Sequence, residues 1–254
     1  MVKMIVTDLD GTLLRSDKTV SAYTVSVLEQ CRKRGIKVVF ATARPPRAVE
    51  QINAEIKTDA CIYHNGAIIT AGDTPFQKLG IDCETARELL GKIEIDENRK
   101  IAIEIDDTLY ANFDTSTVWP GVGMILTDFS DLPEKPIDKI IFITADRSEI
   151  SEIEKYLNST LYWEISENRV LMIMNKLARK INAVGELTEH FGISLSDVAA
   201  FGDDHNDIEM LEKCGMGVAM ENAINEAKTA ANFVGCGNDE DGVAKWIESN
   251  VLKS

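Results

Sequence analysis

Four short apolar runs in this chain end in polar, chemistry-bearing residues. Lys3 to Thr7 runs into Asp8-Leu9-Asp10-Gly11, and Ile36 to Ala41 into Thr42-Ala43-Arg44 before a break at Pro45-Pro46. Ala60 to Tyr63 runs into His64-Asn65-Gly66, and Val198 to Phe201 into Gly202-Asp203-Asp204-His205-Asn206-Asp207. Nearly continuous apolar runs of this kind are strands buried on both faces of a parallel sheet. Helical patterns lie between them, as crossover connections require. One helix is predicted from about Ser21 to Arg34, with Val25, Leu28 and Cys31 at helical spacing and Gly35 as its stop. In open α/β sheets ligands bind beyond the carboxyl ends of the strands, where these polar residues collect.

The middle of the chain reads differently. A helix (Cys83 to Ile93) precedes strands at Ile101 to Ile105 and Leu109 to Asn112, and an irregular stretch, Ser116 to Pro136, follows. Then come a strand (Lys139 to Thr144), a helix (Arg147 to Leu157) and strands at Leu161 to Ile165 and Val170 to Met174. Helix–strand–strand occurs twice, which predicts helices on one face of a mainly antiparallel sheet. The expected organisation is an α/β, doubly wound parallel-sheet core, residues 1–81 and 177–254, with an inserted α+β domain, residues 82–176. The insert carries 20 acids against 10 bases, so most of the charge excess lies there.

With 254 residues the chain has room for one large or two modest domains. Its formal net charge of −15 argues against a broad nucleic-acid or anionic-membrane surface. A small anionic substrate stays compatible, because a metal and a few cations dominate one pocket. No run approaches the length of a membrane span, and Asp8 interrupts the N-terminus before a signal-peptide core can form. The cysteines, Cys31, Cys61, Cys83, Cys214 and Cys236, are odd in number and lack a C-x-x-C pair. They read as reduced thiols, and the expected location is the cytoplasm.

Asp8 and Asp10 are the strongest local signal. Two carboxylates at the end of a buried strand are costly unless they bind a cation or do chemistry. Strand alternation sends them to one side, but the strand is ending, which lets the loop splay them. One carboxylate can attack phosphorus and its neighbour can protonate the leaving oxygen. A plain surface turn is the competing reading. Asp203 and Asp207 add hard oxygen donors suited to Mg²⁺, although acids at a helix start are also good caps. A phosphoryl group facing these carboxylates would be repelled without a metal, and Asp8, Asp203 and Asp207 around one Mg²⁺ solve that problem. Thr42 offers a hydroxyl and a backbone N–H to developing phosphoryl charge. Lys180 sits at a helix start, where the macrodipole disfavours a cation; Lys176 and Arg179 compete with it for a role beside the carboxylates.

In this order, the segments resemble the haloacid dehalogenase superfamily, specifically its Cof-type phosphatases with a type IIB inserted cap. The matching pieces are DLDGTLL, FATARP, HNGA, RKINAVGEL, GDDHNDIEML, GVAMENA and EDGVAKWI. Each is weak alone; together, in this order, they are specific. The resemblance implies a Rossmann-like core, Asp8 as nucleophile and Asp10 as general acid/base. It implies Thr42 and Lys180 on the phosphoryl group, and selects Lys180 among its neighbours. It also implies a Mg²⁺ site drawn from Asp8, Asp10, Asp203 and Asp207, and substrate contacts from Arg44, Asn65 and Asn206. Ala43, Arg179, Ile181 and Glu221 depart from the usual pattern without removing a catalytic group.

The function so implied is a Mg²⁺-dependent phosphatase for small phosphorylated metabolites, sugar phosphates first, with phosphoglycolate or pyridoxal phosphate next. The cap would close over the site and select the leaving group. Phosphomutase or phosphotransferase chemistry is the alternative, and a non-catalytic phospho-ligand sensor is the rival from another class. The oligomeric state, monomer or dimer, stays open. His190, Met172, Met174 and the cysteines read as structural, and Trp119 and Trp163 carry no assigned chemistry.

Overall fold

The computed structural model describes residues 1–72, 74–93, 99–166 and 169–253. The chain divides into two compact units, Met1–Gln77 with Arg179–Ser254, and Lys78–Ala178. The first begins with β1 (Met4–Thr7), α1 (Ala22–Lys33), β2 (Lys37–Ala41), α2 (Glu50–Ile56), β3 (Ala60–Tyr63), β4 (Ile68–Ala71) and β5 (Thr74–Lys78). The second unit follows as α3 (Cys83–Lys92), β6 (Ile101–Ile105), β7 (Thr108–Ala111), β8 (Ile125–Leu126) and β9 (Lys139–Ile143). It ends with α4 (Arg147–Glu154), β10 (Leu161–Ser166) and β11 (Val170–Asn175). The first unit resumes with α5 (Lys180–Phe191), β12 (Val198–Gly202), α6 (Ile208–Lys213), β13 (Met216–Ala219), α7 (Asn225–Ala230), β14 (Phe233–Val234) and α8 (Gly242–Ile247).

The first unit is a Rossmann-like α/β core. Its sheet has the order β14-β13-β12-β1-β2-β3-β4-β5. The strands from β14 to β3 pair in parallel, and β4 returns antiparallel on β3. Period-two alternation divides the strands between two cores. Ile5, Val38, Phe40, Ala199 and Phe201 pack with α1 and α8 on one face. Met4, Val6, Val39, Ala41, Val198 and Ala200 pack with Ile181, Val184 and Leu187 of α5 on the other. Both faces are covered, so the strands read as unbroken apolar runs.

The chain order reverses between β1 and β12. From β1 it winds outward through β2 and β3; from β12 it winds the other way through β13 and β14. A reversal of this kind opens a crevice beyond the strand ends, and it determines where the site lies.

The second unit is α+β. Its sheet runs β10-β11-β9-β6-β7-β8 and is antiparallel except where β8 pairs in parallel with β7. Ile101, Ile103 and Ile105 of β6, Ile140 and Phe142 of β9, and Leu171 and Ile173 of β11 share one core with Leu89 of α3 and Ile150 and Ile153 of α4. Both helices therefore cover the same face. Met172 and Met174 alternate onto the other face and are buried. Trp163 is half-buried against the helix-covered core.

Several element ends differ from the sequence reading. Ser21 lies outside α1 as its N-cap, its hydroxyl accepting from the Thr24 N–H. The helix expected to reach Leu157 stops at Glu154. The stretch 116–136 holds one short strand, β8, both of whose residues are exposed. Among the described residues no helix is long and apolar enough to cross a membrane. The five cysteines are free thiols; burial pushes Cys31 up to about 11 and Cys214 up to about 12, the opposite of a reactive setting.

Candidate active site

Asp8 follows β1 directly, and its N–H donates to the Phe201 carbonyl at 3.0 Å, extending the β1–β12 pairing by one residue. Gly202 ends β12, the neighbouring strand, and Asp203 follows it. The two acidic segments are thus brought to the same edge of the sheet, at the point of reversal. Asp8, Asp203 and Asp207 each offer a carboxylate oxygen, and these oxygens all lie within 4.8 Å of one another.

Lys180 enters this cluster from the first turn of α5. Its side chain is fully buried, with Nζ 2.8 Å from Asp8 Oδ1 and 2.7 Å from Asp207 Oδ1. Arg179, by contrast, is the N-cap of α5 and reaches Glu209 at 3.3 Å. Burial works against the Lys180 ammonium, but Asp207 and Asp8 outweigh it and hold its pKa above the usual lysine range. For Asp8 burial is the dominant influence; with Asp207 and Asp203 it outweighs Lys180 and raises the carboxyl well above its ordinary range. Burial, with Asp207 alongside, pushes Asp203 up to about 7.

The rest of the cluster is held by short local contacts. Asp207 Oδ2 accepts from the backbone N–H groups of Asp203 at 3.0 Å and Asp204 at 3.2 Å. Thr12 donates its hydroxyl to Asp203 Oδ1 at 2.7 Å. Gly11 makes that approach possible: it adopts φ +73°, and a Cβ there would lie 2.3 Å from Asp203 Oδ2.

Asp10 points elsewhere. Arg44 grips it with two bonds, Nε to Oδ2 at 2.6 Å and Nη2 to Oδ1 at 2.7 Å, and Lys18 Nζ lies 2.7 Å from Oδ1. Burial would raise its pKa, yet the bonds from Arg44 and Lys18 win and hold the carboxyl below its usual range. The loop has therefore splayed Asp8 and Asp10 apart. The Asp10 side chain, bonded to these two cations, lies outside the cluster of Asp8, Asp203 and Asp207.

Thr42 is buried at the end of β2, where its hydroxyl accepts from the Arg44 N–H at 3.1 Å. Its own N–H donates to the Ile62 carbonyl at 2.9 Å. That N–H belongs to the sheet, which corrects the expectation that it is offered to a ligand. Asn65 is buried in a left-handed conformation, φ 57°, and accepts from Asn206 Nδ2 at 3.0 Å. Sequence reasoning missed Lys18 and Thr12, whose roles depend on contacts no local pattern signals. His190 lies between the Phe76 and Phe191 rings, at 4.8 and 4.9 Å.

Three carboxylates facing one ammonium leave two negative charges in a buried, all-oxygen donor set. The raised pKa of Asp203 records the same excess. Hard oxygen donors with an uncompensated charge of this size fit a divalent cation.

Residues 5–247 match the haloacid dehalogenase-like hydrolase family. A putative phosphatase of Haemophilus influenzae is 32% identical over 258 residues, which cover 98% of each chain. The 5-amino-6-(5-phospho-D-ribitylamino)uracil phosphatase YitU of Bacillus subtilis is 28% identical over 260 residues, 96% of each. Among solved structures, TM0651 from Thermotoga maritima superposes with a TM-score of 0.86 at 29% identity, covering 98% of this chain and 97% of that one.

Proposed function

This chain belongs to the haloacid dehalogenase-like hydrolases and is a phosphatase of that family, and from that premise we propose that it cleaves small phosphate monoesters through a covalent intermediate on Asp8. The observation that carries the proposal is the buried cluster of Asp8, Lys180, Asp203 and Asp207 at the crevice where the sheet reverses. Sugar and polyol phosphates are the substrate class we favour. YitU, whose name specifies a phosphoribityl substrate, supports that choice.

Asp8 attacks phosphorus through its carboxylate oxygen, and the leaving alcohol departs from the opposite side. Asp10, entering the step in its protonated form, gives that proton to the leaving alcohol's oxygen, and the carboxylate so formed takes one from the water that hydrolyses the aspartyl-phosphate. Lys180 holds Asp8 in place and places positive charge beside the transferring group. Thr42 would present its hydroxyl to the transferring group, and Asn206 and Asn65, bonded to each other at 3.0 Å, would contact the substrate. Asp8, Asp203 and Asp207 would hold Mg²⁺, which when bound supplies the charge that lets a phosphoryl dianion approach these acids. Asp207 would act from behind, since its oxygens already take Lys180 and two backbone N–H groups.

The deciding experiment is phosphate release from a panel of phosphorylated metabolites, with and without Mg²⁺, comparing the wild type with Asp8→Asn. Metal-dependent turnover that vanishes in the variant supports the proposal. Transfer of phosphate to a second hydroxyl, without steady release, would favour a mutase.

A further inference from the structure

One sequence motif has no part in the chemistry above, GVAMENA, yet it reaches the site together with Asn238. Residues 220–224 sit between its two acidic loops. The Met220 N–H donates to the Gly202 carbonyl at 3.1 Å, and the Ile224 N–H to the Asp203 carbonyl at 2.9 Å. Between them, Asn222 reaches across with Nδ2 to the Gly11 carbonyl at 2.7 Å.

The amide's orientation is fixed from its other end. The Asn238 N–H donates to Asn222 Oδ1 at 3.1 Å. A backbone N–H can only donate, so the atom facing it is the oxygen and the NH₂ faces Gly11. Asn238 also donates through its own Nδ2 to the Leu14 carbonyl, 2.9 Å away and buried. The turn from Leu9 to Leu14 is therefore held at two of its carbonyls. That turn carries Asp10 and also Thr12, whose hydroxyl bonds Asp203.

We propose that Asn222 is a positioning residue for the reaction: it ties the Asp10 turn to the Asp203 loop so that the acid and the carboxylate cluster keep a fixed spacing. The proposal rests on the reading of Asp10 as the acid. The job needs a side chain that donates at one end and accepts at the other with this reach. Aspartate has the reach but at neutral pH lacks the donor, and it would set a carboxylate oxygen against the Gly11 carbonyl. Asn222 is exposed, so it contributes little to the core. Its loss affects the turn more than the fold.

The test uses the leaving group. 4-Nitrophenolate departs without a proton, whereas an alkoxide needs one from Asp10, and kcat/KM reports the step in which either leaves. For Asn222→Ala and Asn222→Asp we expect kcat/KM on glycerol phosphate to fall on the order of tenfold or more, and on 4-nitrophenyl phosphate by less than about twofold. Both variants should melt with the wild type. Ser16→Ala, which removes a contact to Asp239 close by, should leave both substrates unaffected. Equal losses on the two substrates, no loss on either, or melting far below the wild type in both variants would overturn the proposal. Absence of wild-type turnover on both esters would overturn the phosphatase reading itself, and the proposal with it.

Discussion

Lys180 and Asp8 meet at 2.8 Å inside the protein, and the same ammonium lies 2.7 Å from Asp207. One buried cation thus serves two carboxylates from different strand ends. Removing it leaves both acids buried without their partner, and breaking a buried pair costs about 3–5 kcal/mol. Lys180→Met should therefore lose stability of that order in urea unfolding, along with activity. A variant as stable as the wild type would show that the contact is dispensable to the fold.

The carboxylate excess fixes a pH dependence for the metal-free protein. Asp203 titrates at about 7 when folded, against about 3.9 in an unfolded chain. The folded state therefore holds a proton that the unfolded state has released. This contribution is complete below about pH 4 and lost as the pH rises through 7. Asp8, also raised, acts in the same direction. In EDTA, melting temperature should fall between pH 5 and 7.5, and Asp203→Asn should flatten the slope. Mg²⁺ added at pH 7.5 should restore the wild type. A melting temperature that rises over this range would contradict the geometry.

Lys18 and Arg44 lower the pKa of the Asp10 carboxyl and so limit the protonated form that the acid step uses. Removing a cation favours the protonated acid. Lys18→Met should therefore move the alkaline limb of kcat/KM on an alkyl phosphate to higher pH. An unmoved or lowered limb would show that Lys18 does not govern the acid.

Gly11 allows Asp203 to approach, since a Cβ would sit 2.3 Å from Oδ2 and φ is +73°. Gly11→Ala carries a left-handed backbone cost of about 1–2 kcal/mol and displaces Asp203. Calorimetric titration with Mg²⁺ should show weakened binding. Unchanged binding would mean that the turn yields without disturbing the cluster.

The sequence makes most of the core strands legible because each is buried on both faces, so β1, β2, β3 and β12 stand out as apolar runs. β5 and β8 are harder: β8 is two exposed residues whose pairing with β7 is purely tertiary. The acids after β1 and β12 are visible because charge beside a buried strand is costly. Whether Asp8 and Asp10 point together is invisible, since the answer depends on Arg44, 34 residues from Asp10, and on Lys18. Thr12 meets Asp203 across 191 residues. Local charge arguments left Lys180 level with Lys176 and Arg179. Burial against Asp8 and Asp207 distinguishes it.

The most direct test of covalent chemistry at Asp8 is acid quenching of the enzyme during turnover of a ³²P-labelled ester. We predict a hydroxylamine-sensitive label on the peptide containing Asp8, absent from Asp8→Asn. Undiminished phosphate release by Asp8→Asn, with no label on the wild-type peptide, would contradict the account.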